Sequence, residues 1–213
     1  MLSSVECVRS CFKLSALVVS NLANKVRIIG GEWRSRQIGF TDAPGLRPTP
    51  DRVRETLFNW LQTDVPGSRC LDLYAGSGAL GFEAASRGAA WVALVETNPE
   101  ICRKLRENTA LLAAKKIEVV QDDAGRFLKK SPPEKFDLVF LDPPFGQNLV
   151  APGCQLLENQ GWLTDYAKIY IEAERQLELT DLDLPDNWRL LKHKVAGQVS
   201  YGLYQRHKTQ FRR

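Results

Sequence analysis

Histidine is almost missing from this chain: of 213 residues only His193 and His207 carry an imidazole, both near the C-terminal end. Cysteine is scarce and scattered, as Cys7, Cys11, Cys70, Cys102 and Cys154, with no C-x-x-C pair. An odd, dispersed set excludes a disulfide framework and points to a reducing, cytoplasmic setting. Cys7 and Cys11 lack companion ligands at metal-binding spacing, so no metal is expected. The N-terminal apolar run Leu14 to Val19 follows Arg9 and Lys13 in the manner of a secretory leader. It is short for that role and far below the roughly 20 apolar residues that cross a bilayer, so no membrane contact is expected. Met1 to Asn24 is expected to be a disordered extension. Internal repeats are absent. Acidic residues are absent after Asp186, where Arg189, Lys192, Lys194, Arg206, Lys208, Arg212 and Arg213 accumulate.

What remains is the composition of an ordinary globular protein, 44% hydrophobic and 25% charged, of a size suited to one domain with a small appendage. The net charge of +4 is mild, but its distribution is uneven. Between Lys25 and Glu55, seven basic residues face four acidic ones, and most carboxylates lie in the middle of the chain. Basic ends around an acidic centre are a reasonable footprint for a polyanionic partner.

Val26 to Ile29, Gly30-Gly31 and Trp33 to Ile38 read as a β-hairpin. Thr49 is placed to cap a helix with Pro50 at its first position, and Val53, Leu57, Trp60 and Leu61 carry that helix to about Gln62. From Arg69 on, strands and helices alternate. Strands are expected at Cys70 to Tyr74, Trp91 to Val95, Ile117 to Val120, Phe136 to Leu141 and Lys168 to Glu172. Helices are expected at Ala79 to Ser86, after the Asn98 cap with Ile101, Leu105, Leu111 and Leu112 inward, and around Phe127-Leu128. Leu190 to Val195 and Val199 to Tyr204 suggest a closing hairpin. The expected fold is α/β, an open and mainly parallel sheet with helices on both faces.

Three constellations carry chemistry. In Asp72-Leu73-Tyr74-Ala75-Gly76-Ser77-Gly78-Ala79-Leu80-Gly81, a glycine turn follows a strand and opens a helix, whose N-terminal amides face a ligand. Read literally, Gly76, Gly78 and Gly81 match the dinucleotide fingerprint, with Glu96 placed as a ribose acid, so a nicotinamide or flavin protein is a rival. Asp72 tips the balance. A carboxylate inside an apolar strand needs a cation, which the ammonium of S-adenosylmethionine offers and a pyrophosphate does not. Glu96, ending the second strand, is positioned for ribose hydroxyls, and Asp123-Ala124, or alternatively Asp122, for an adenine amino group. The third constellation, Asp142-Pro143-Pro144-Phe145, is the most specific. Asp142 and the Pro143 carbonyl can accept both hydrogens of an amino group, Pro144 removes a further donor, and Phe145 offers a stacking face for a flipped base. Acceptors on both hydrogens favour the pyramidal nitrogen that can attack a methyl sulfonium in line.

These residues, with Arg27 to Arg34, Leu46-Arg47-Pro48-Thr49 and Arg54 to Leu61, resemble the bacterial 16S ribosomal RNA guanine-N2 methyltransferases of the small subunit. The resemblance runs from Arg27 onward. It implies a Rossmann-like class I methyltransferase sheet, mainly parallel with the last strand antiparallel, and an N-terminal hairpin. Residues 25–66 would form the hairpin and helix, and 67–213 the methyltransferase domain. S-adenosylmethionine would be the methyl donor, held by Asp72, Tyr74, Ala75, Gly76, Ser77, Gly78, Glu96, Asp123 and Ala124. A loop guanine of 16S RNA would be the target, held at Asp142, Pro143, Pro144 and Phe145. Arg34, Arg36, Arg47, Thr49 and Arg52, with Arg54, are candidate RNA contacts. A monomer acting on RNA within a small-subunit particle is expected. Family members begin near Arg27, and they often carry Arg-Gly-Arg where this chain has Arg34-Ser35-Arg36. Amino-methylation of adenine or cytosine, in RNA or DNA, is the alternative chemistry, and a non-catalytic RNA-binding module the alternative class.

Overall fold

The computed structural model describes residues 24–43, 46–177, 179 and 182–208. The expected N-terminal extension therefore lies outside the described residues, except for Asn24.

The hairpin is shorter than its sequence suggests. Strands β1 (Lys25–Arg27) and β2 (Gln37–Gly39) pair antiparallel with Val26 opposite Ile38, both buried, and exposed neighbours between. Trp33 to Arg36, expected as strand, is instead a turn: Ser35 donates its amide to the Ile28 carbonyl at 2.9 Å. Ser35 occupies the left-handed region at φ 68°, a conformation uncommon for a residue with a side chain. Buried Trp33 anchors it.

Helix α1 (Asp51–Trp60) buries Val53, Leu57 and Phe58 and stops at Trp60, with Leu61 as its C-cap. Its N-cap is Pro50, without a side-chain hydrogen bond. Thr49 does not cap it, and its hydroxyl points elsewhere. Helix α1 and the hairpin are fastened to helix α2 (Ala79–Ser86) through one fully buried carboxylate. Glu83 accepts the amides of Ile29 and Gly30, each at 2.8 Å, and pairs with Arg87 at 2.6 Å and with the fully buried Arg54 at 3.6 Å. Arg54 in turn donates to the carbonyls of Arg27 and Thr49.

The main sheet comprises β3 (Arg69–Asp72), β4 (Trp91–Glu96), β5 (Ile117–Gln121), β6 (Phe136–Leu141), β7 (Leu163–Glu174), β8 (Trp188–Ala196) and β9 (Val199–Arg206). Its order is β5-β4-β3-β6-β7-β9-β8, parallel through β7, with β9 running antiparallel between β7 and β8. Strand residues alternate between two cores. One core joins Leu94, Leu138 and Phe140 to the hairpin, α1, α2 and helix α3 (Pro99–Leu111). The other joins Leu71, Val139 and Ile171 to helices α4 (Ala124–Leu128) and α5 (Val150–Asn159). Helix α3 is capped by Asn98 as expected, but Leu111 is 62% exposed and Leu112 takes the inward place. Helix α5 was not anticipated, because Pro152-Gly153 interrupts its pattern. Pro152 falls in the first turn, where its missing N–H is not needed, and Val150, Cys154 and Leu157 supply the buried stripe.

The strand order reverses between β3 and β6. At such a switch point the C-terminal strand ends splay their following loops apart and leave a crevice. Asp72 ends β3, and Asp142 follows the last residue of β6.

Candidate active site

The glycine turn sits where β3 meets α2, and each glycine has a distinct duty. Gly78 caps α2 at φ 76°, and a Cβ there would lie 2.7 Å from Phe82 and Leu105. Packing as well as backbone conformation thus holds this position. At Gly81 a Cβ would lie 2.2 Å from Leu94, so this residue lets α2 press against the sheet. That approach brings the Gly81 amide to Asp72 Oδ2 at 3.0 Å. Ala75 and Ser77 are buried in the turn, and Ser77 Oγ accepts the Ala79 amide at 3.3 Å. Tyr74 is partly buried on the opposite core, which pushes its phenol up to about 12.

Asp72 is 2% exposed. Burial raises its carboxyl to about 7; the Gly81 amide opposes that shift and the charge of Glu96 adds to it. No cation lies beside it among the described residues. Glu96, half-buried at the end of β4, accepts the Gly76 amide at 3.0 Å and the Asn98 amide at 2.8 Å. It thereby ties the glycine turn to the strand end next door. Asp123 caps α4 by accepting the Arg126 amide at 2.9 Å, with Ala124 buried behind it. Its competitor Asp122 is engaged by Lys130 at 2.6 Å and Arg126 at 2.8 Å. Of the two, Asp123 faces the fewer positive charges and is the freer acceptor. These residues line three consecutive strand ends on one edge of the sheet.

Asp142 follows β6 directly, across the crevice from Asp72. Burial drives its carboxyl well above the ordinary carboxylate range, with the charges of Glu172 and Asp72 adding, while Thr49 opposes. Thr49 Oγ1 reaches Asp142 Oδ2 at 3.5 Å, which is where the expected helix cap has gone. Thr49 is buried and its hydroxyl is directed to Asp142, so unlike the arginines it offers no exposed surface to RNA. Beyond Asp142 the chain holds Pro143 buried and leaves Pro144 and Phe145 outward, Phe145 at 47% exposure. Pro143, Pro144 and Phe145 line a cavity of about 130 Å³ together with Leu149, Glu172 and Leu177.

Arg34, Arg36, Arg47 and Arg52 are exposed. Arg36 also donates to the Leu111 carbonyl at 3.0 Å. Arg54 is corrected: it is fully buried and belongs to the Glu83 network, where no phosphate can reach it. One buried acid of this edge, Glu172, is not singled out by the sequence reading. Glu172, 4% exposed on β7, is held up to about 7 by burial and accepts a hydrogen bond from Tyr170 Oη at 2.8 Å. The signal was present in Ile169-Tyr170-Ile171-Glu172-Ala173, an acid inside an apolar strand, the same feature that singled out Asp72.

Comparison with known proteins gives this geometry a context. The family described as conserved hypothetical protein 95 matches residues 26–205. The chain belongs to this family. Its relatives include the ribosomal RNA small subunit methyltransferase D of Escherichia coli strain K12, 49% identical over 185 residues that cover 86% of this chain and 91% of that one. The Haemophilus influenzae protein of the same name is 45% identical, over 87% of this chain and 96% of its own length. Among solved structures, yhhF of Escherichia coli superposes with a TM-score of 0.78 at 47% identity, covering 87% of this chain and 99% of that one. The family fold is therefore the Rossmann-like methyltransferase sheet with an N-terminal hairpin, and the chain is a methyltransferase. The match begins at Val26, at the first strand of the hairpin.

Proposed function

We propose that this chain transfers a methyl group from S-adenosylmethionine to the exocyclic N2 of a guanine in 16S ribosomal RNA. The observation that carries this reading is the pairing of a buried acid with a half-buried one at the switch-point crevice. Asp72 lies beside the glycine turn with no cation among the described residues, and Asp142 begins Asp-Pro-Pro-Phe on the other side. A buried carboxylate without a positive partner costs several kcal/mol, which a cationic ligand would offset. S-adenosylmethionine supplies an electrophilic methyl group on a sulfonium and fits this crevice by the charge of its ammonium.

Asp72 and the Gly76 to Gly78 turn would hold its methionine part, Glu96 the ribose hydroxyls, and Asp123-Ala124 the adenine. Asp142 and the Pro143 carbonyl would accept the hydrogens of the base amino group, which keeps its lone pair out of conjugation with the ring. The rigid Pro143-Pro144 backbone fixes those acceptors before the base arrives, and preorganised acceptors cost no reorganisation as positive charge develops on nitrogen. Phe145, exposed at the mouth, would stack on a flipped base. Thr49 orients the Asp142 carboxylate. Exposed Arg34, Arg36, Arg47 and Arg52 would contact phosphate around this mouth.

The names of the relatives support ribosomal RNA of the small subunit as substrate. The enzyme would act as a monomer on a small-subunit particle. A cytoplasmic compartment suits the free, buried Cys70, Cys102 and Cys154. The test is mass spectrometry of nucleosides from 16S RNA treated with the protein and labelled S-adenosylmethionine. N2-methylguanosine is expected, and N6-methyladenosine or N4-methylcytidine would overturn the choice of base.

A further inference from the structure

Asp142 has a motif to explain it, whereas Glu172 has none. Strands β6 and β7 run parallel with Leu141 paired to Ile171, so the next residue on each strand sets Asp142 beside Glu172. Glu172 is almost fully buried, yet it lines the cavity formed with Pro143, Pro144 and Phe145. Among the described residues no cation answers either carboxylate; their partners are the hydroxyls of Thr49 and Tyr170. Two adjacent carboxylates held from water are relieved by protonation or by a ligand that brings donors to both.

Guanine does so. Its N1–H and its N2 amino group are neighbouring donors on one edge. Adenine places an acceptor nitrogen next to its amino group, and so does cytosine, which would meet a carboxylate with repulsion.

We infer that Glu172 is the residue that reads guanine, its carboxylate accepting the N1–H of the base whose N2 amino group is held by Asp142 and the Pro143 carbonyl. This assignment rests on the guanine-N2 reading above and adds the source of its base choice. Tyr170 fixes the geometry. Its hydroxyl, on the same strand and buried, donates to Oε2 at 2.8 Å and leaves Oε1 for the base. In Glu172→Gln the same hydroxyl selects the amide oxygen and turns the NH2 group toward the base, where it confronts N1–H donor to donor.

The experiment uses 16S RNA, in the particle form that the enzyme accepts, carrying guanine or 2-aminopurine at the mapped target position. 2-Aminopurine keeps the amino group but presents an acceptor at N1. The wild-type enzyme is expected to prefer guanine in kcat/KM by about 10–100-fold, the span of one hydrogen bond to a charged group. Glu172→Gln should shrink that preference at least about tenfold, because its amide can donate to N1 of 2-aminopurine. Cofactor affinity should not change. Tyr170→Phe added to Glu172→Gln frees the amide to rotate and should restore part of the guanine rate. If Glu172→Gln does not fold, Tyr170→Phe alone should lower the guanine preference several-fold. N2-methylguanosine as the product, with the preference unchanged in these variants, overturns the role of Glu172 alone. A wild-type product on adenine or cytosine overturns the guanine reading, and the Glu172 assignment with it.

Discussion

Replacing Glu83 by alanine should detach the N-terminal hairpin from the methyltransferase domain. The Glu83 carboxylate is fully buried and holds four groups: the amides of Ile29 and Gly30, and the guanidinium groups of Arg87 and Arg54. Arg87 is partly exposed and can turn to water, but the fully buried Arg54 would lose one of its two carboxylates, keeping only Asp51 at 2.6 Å, and the Ile29 and Gly30 amides would lose their acceptor. Breaking a buried pair from one side typically costs about 3–5 kcal/mol. For a chain of this size about 1 kcal/mol moves the melting temperature by roughly 2–4 °C, so a fall of about 6–20 °C is expected by calorimetry. Amide exchange at Ile29 and Gly30 should accelerate with it. RNA affinity should fall more than cofactor affinity, because the hairpin carries Arg34 and Arg36. The double variant Glu83→Leu with Arg54→Met removes both charges, so its loss should be smaller than the sum of the single losses. A Glu83→Ala protein that melts within about 2 °C of wild type, with Ile29 and Gly30 still protected, would refute this account of how the hairpin is held.

Four further outcomes follow from the site. Asp142→Asn and Asp142→Ala should slow methyl transfer by about 10²–10³ with cofactor binding kept; a full single-turnover rate in the alanine variant would show that the carboxylate only shapes the turn. Calorimetry should show S-adenosylmethionine binding and no NAD binding, with Glu96→Ala losing about 1–3 kcal/mol of affinity; tight NAD binding would return the glycine turn to the dinucleotide class. RNA affinity should fall steeply with salt, and substituting Arg34 and Arg36 together should flatten the slope; an unchanged slope would place the RNA elsewhere. Asp72 and Glu172 both titrate near 7 in the folded chain against 3.8 and 4.5 ordinarily, so the folded state binds the extra protons. The cofactor-free protein should therefore be most stable below the ordinary values and lose stability as pH rises toward 7, by on the order of 2–3 kcal/mol per group between pH 5 and 8. Glu172→Gln should flatten that loss; denaturation curves with the opposite slope would contradict both burials.

Much of the sheet was legible because parallel strands buried on both faces leave continuous apolar runs, and Phe136–Leu141 was placed to the residue. Helix α2 was equally plain between its glycines. The failures share a cause, which is that the competing partner was distant in sequence. Thr49 looked like a cap because a threonine before proline commonly is one, but Asp142 claims its hydroxyl from 93 residues away. Arg54 looked like a surface cation within a basic run, and only the approach of α2 shows that it is buried against Glu83. Leu111 and Leu112 both fit the helical stripe, and the chain's turn after α3 decides which one faces in. Helix α5 was hidden by Pro152, a breaker in the middle of a helix but harmless in its first turn.

The carboxylates also explain why the hairpin and the catalytic edge belong to one structure. Asp72, Asp142 and Glu172 follow one another along the edge formed by β3, β6 and β7, and each raises the protonation of a neighbour or is itself raised by burial. An edge of this kind is destabilising on its own, so other contacts must hold it in place. The hairpin and α1 do this from one side: Thr49 reaches Asp142 while Arg54, five residues on, locks α1 to α2 through Glu83. Arg54 also donates to the Thr49 carbonyl at 3.2 Å, so the residue that bonds Asp142 is itself positioned by the hairpin's anchor. The appendage therefore reaches Asp142 through Thr49, and on the proposed function it would be a wall of the active site as well as an RNA-facing arm. Loss of its anchor should reach the chemistry through Thr49 even where the sheet remains folded.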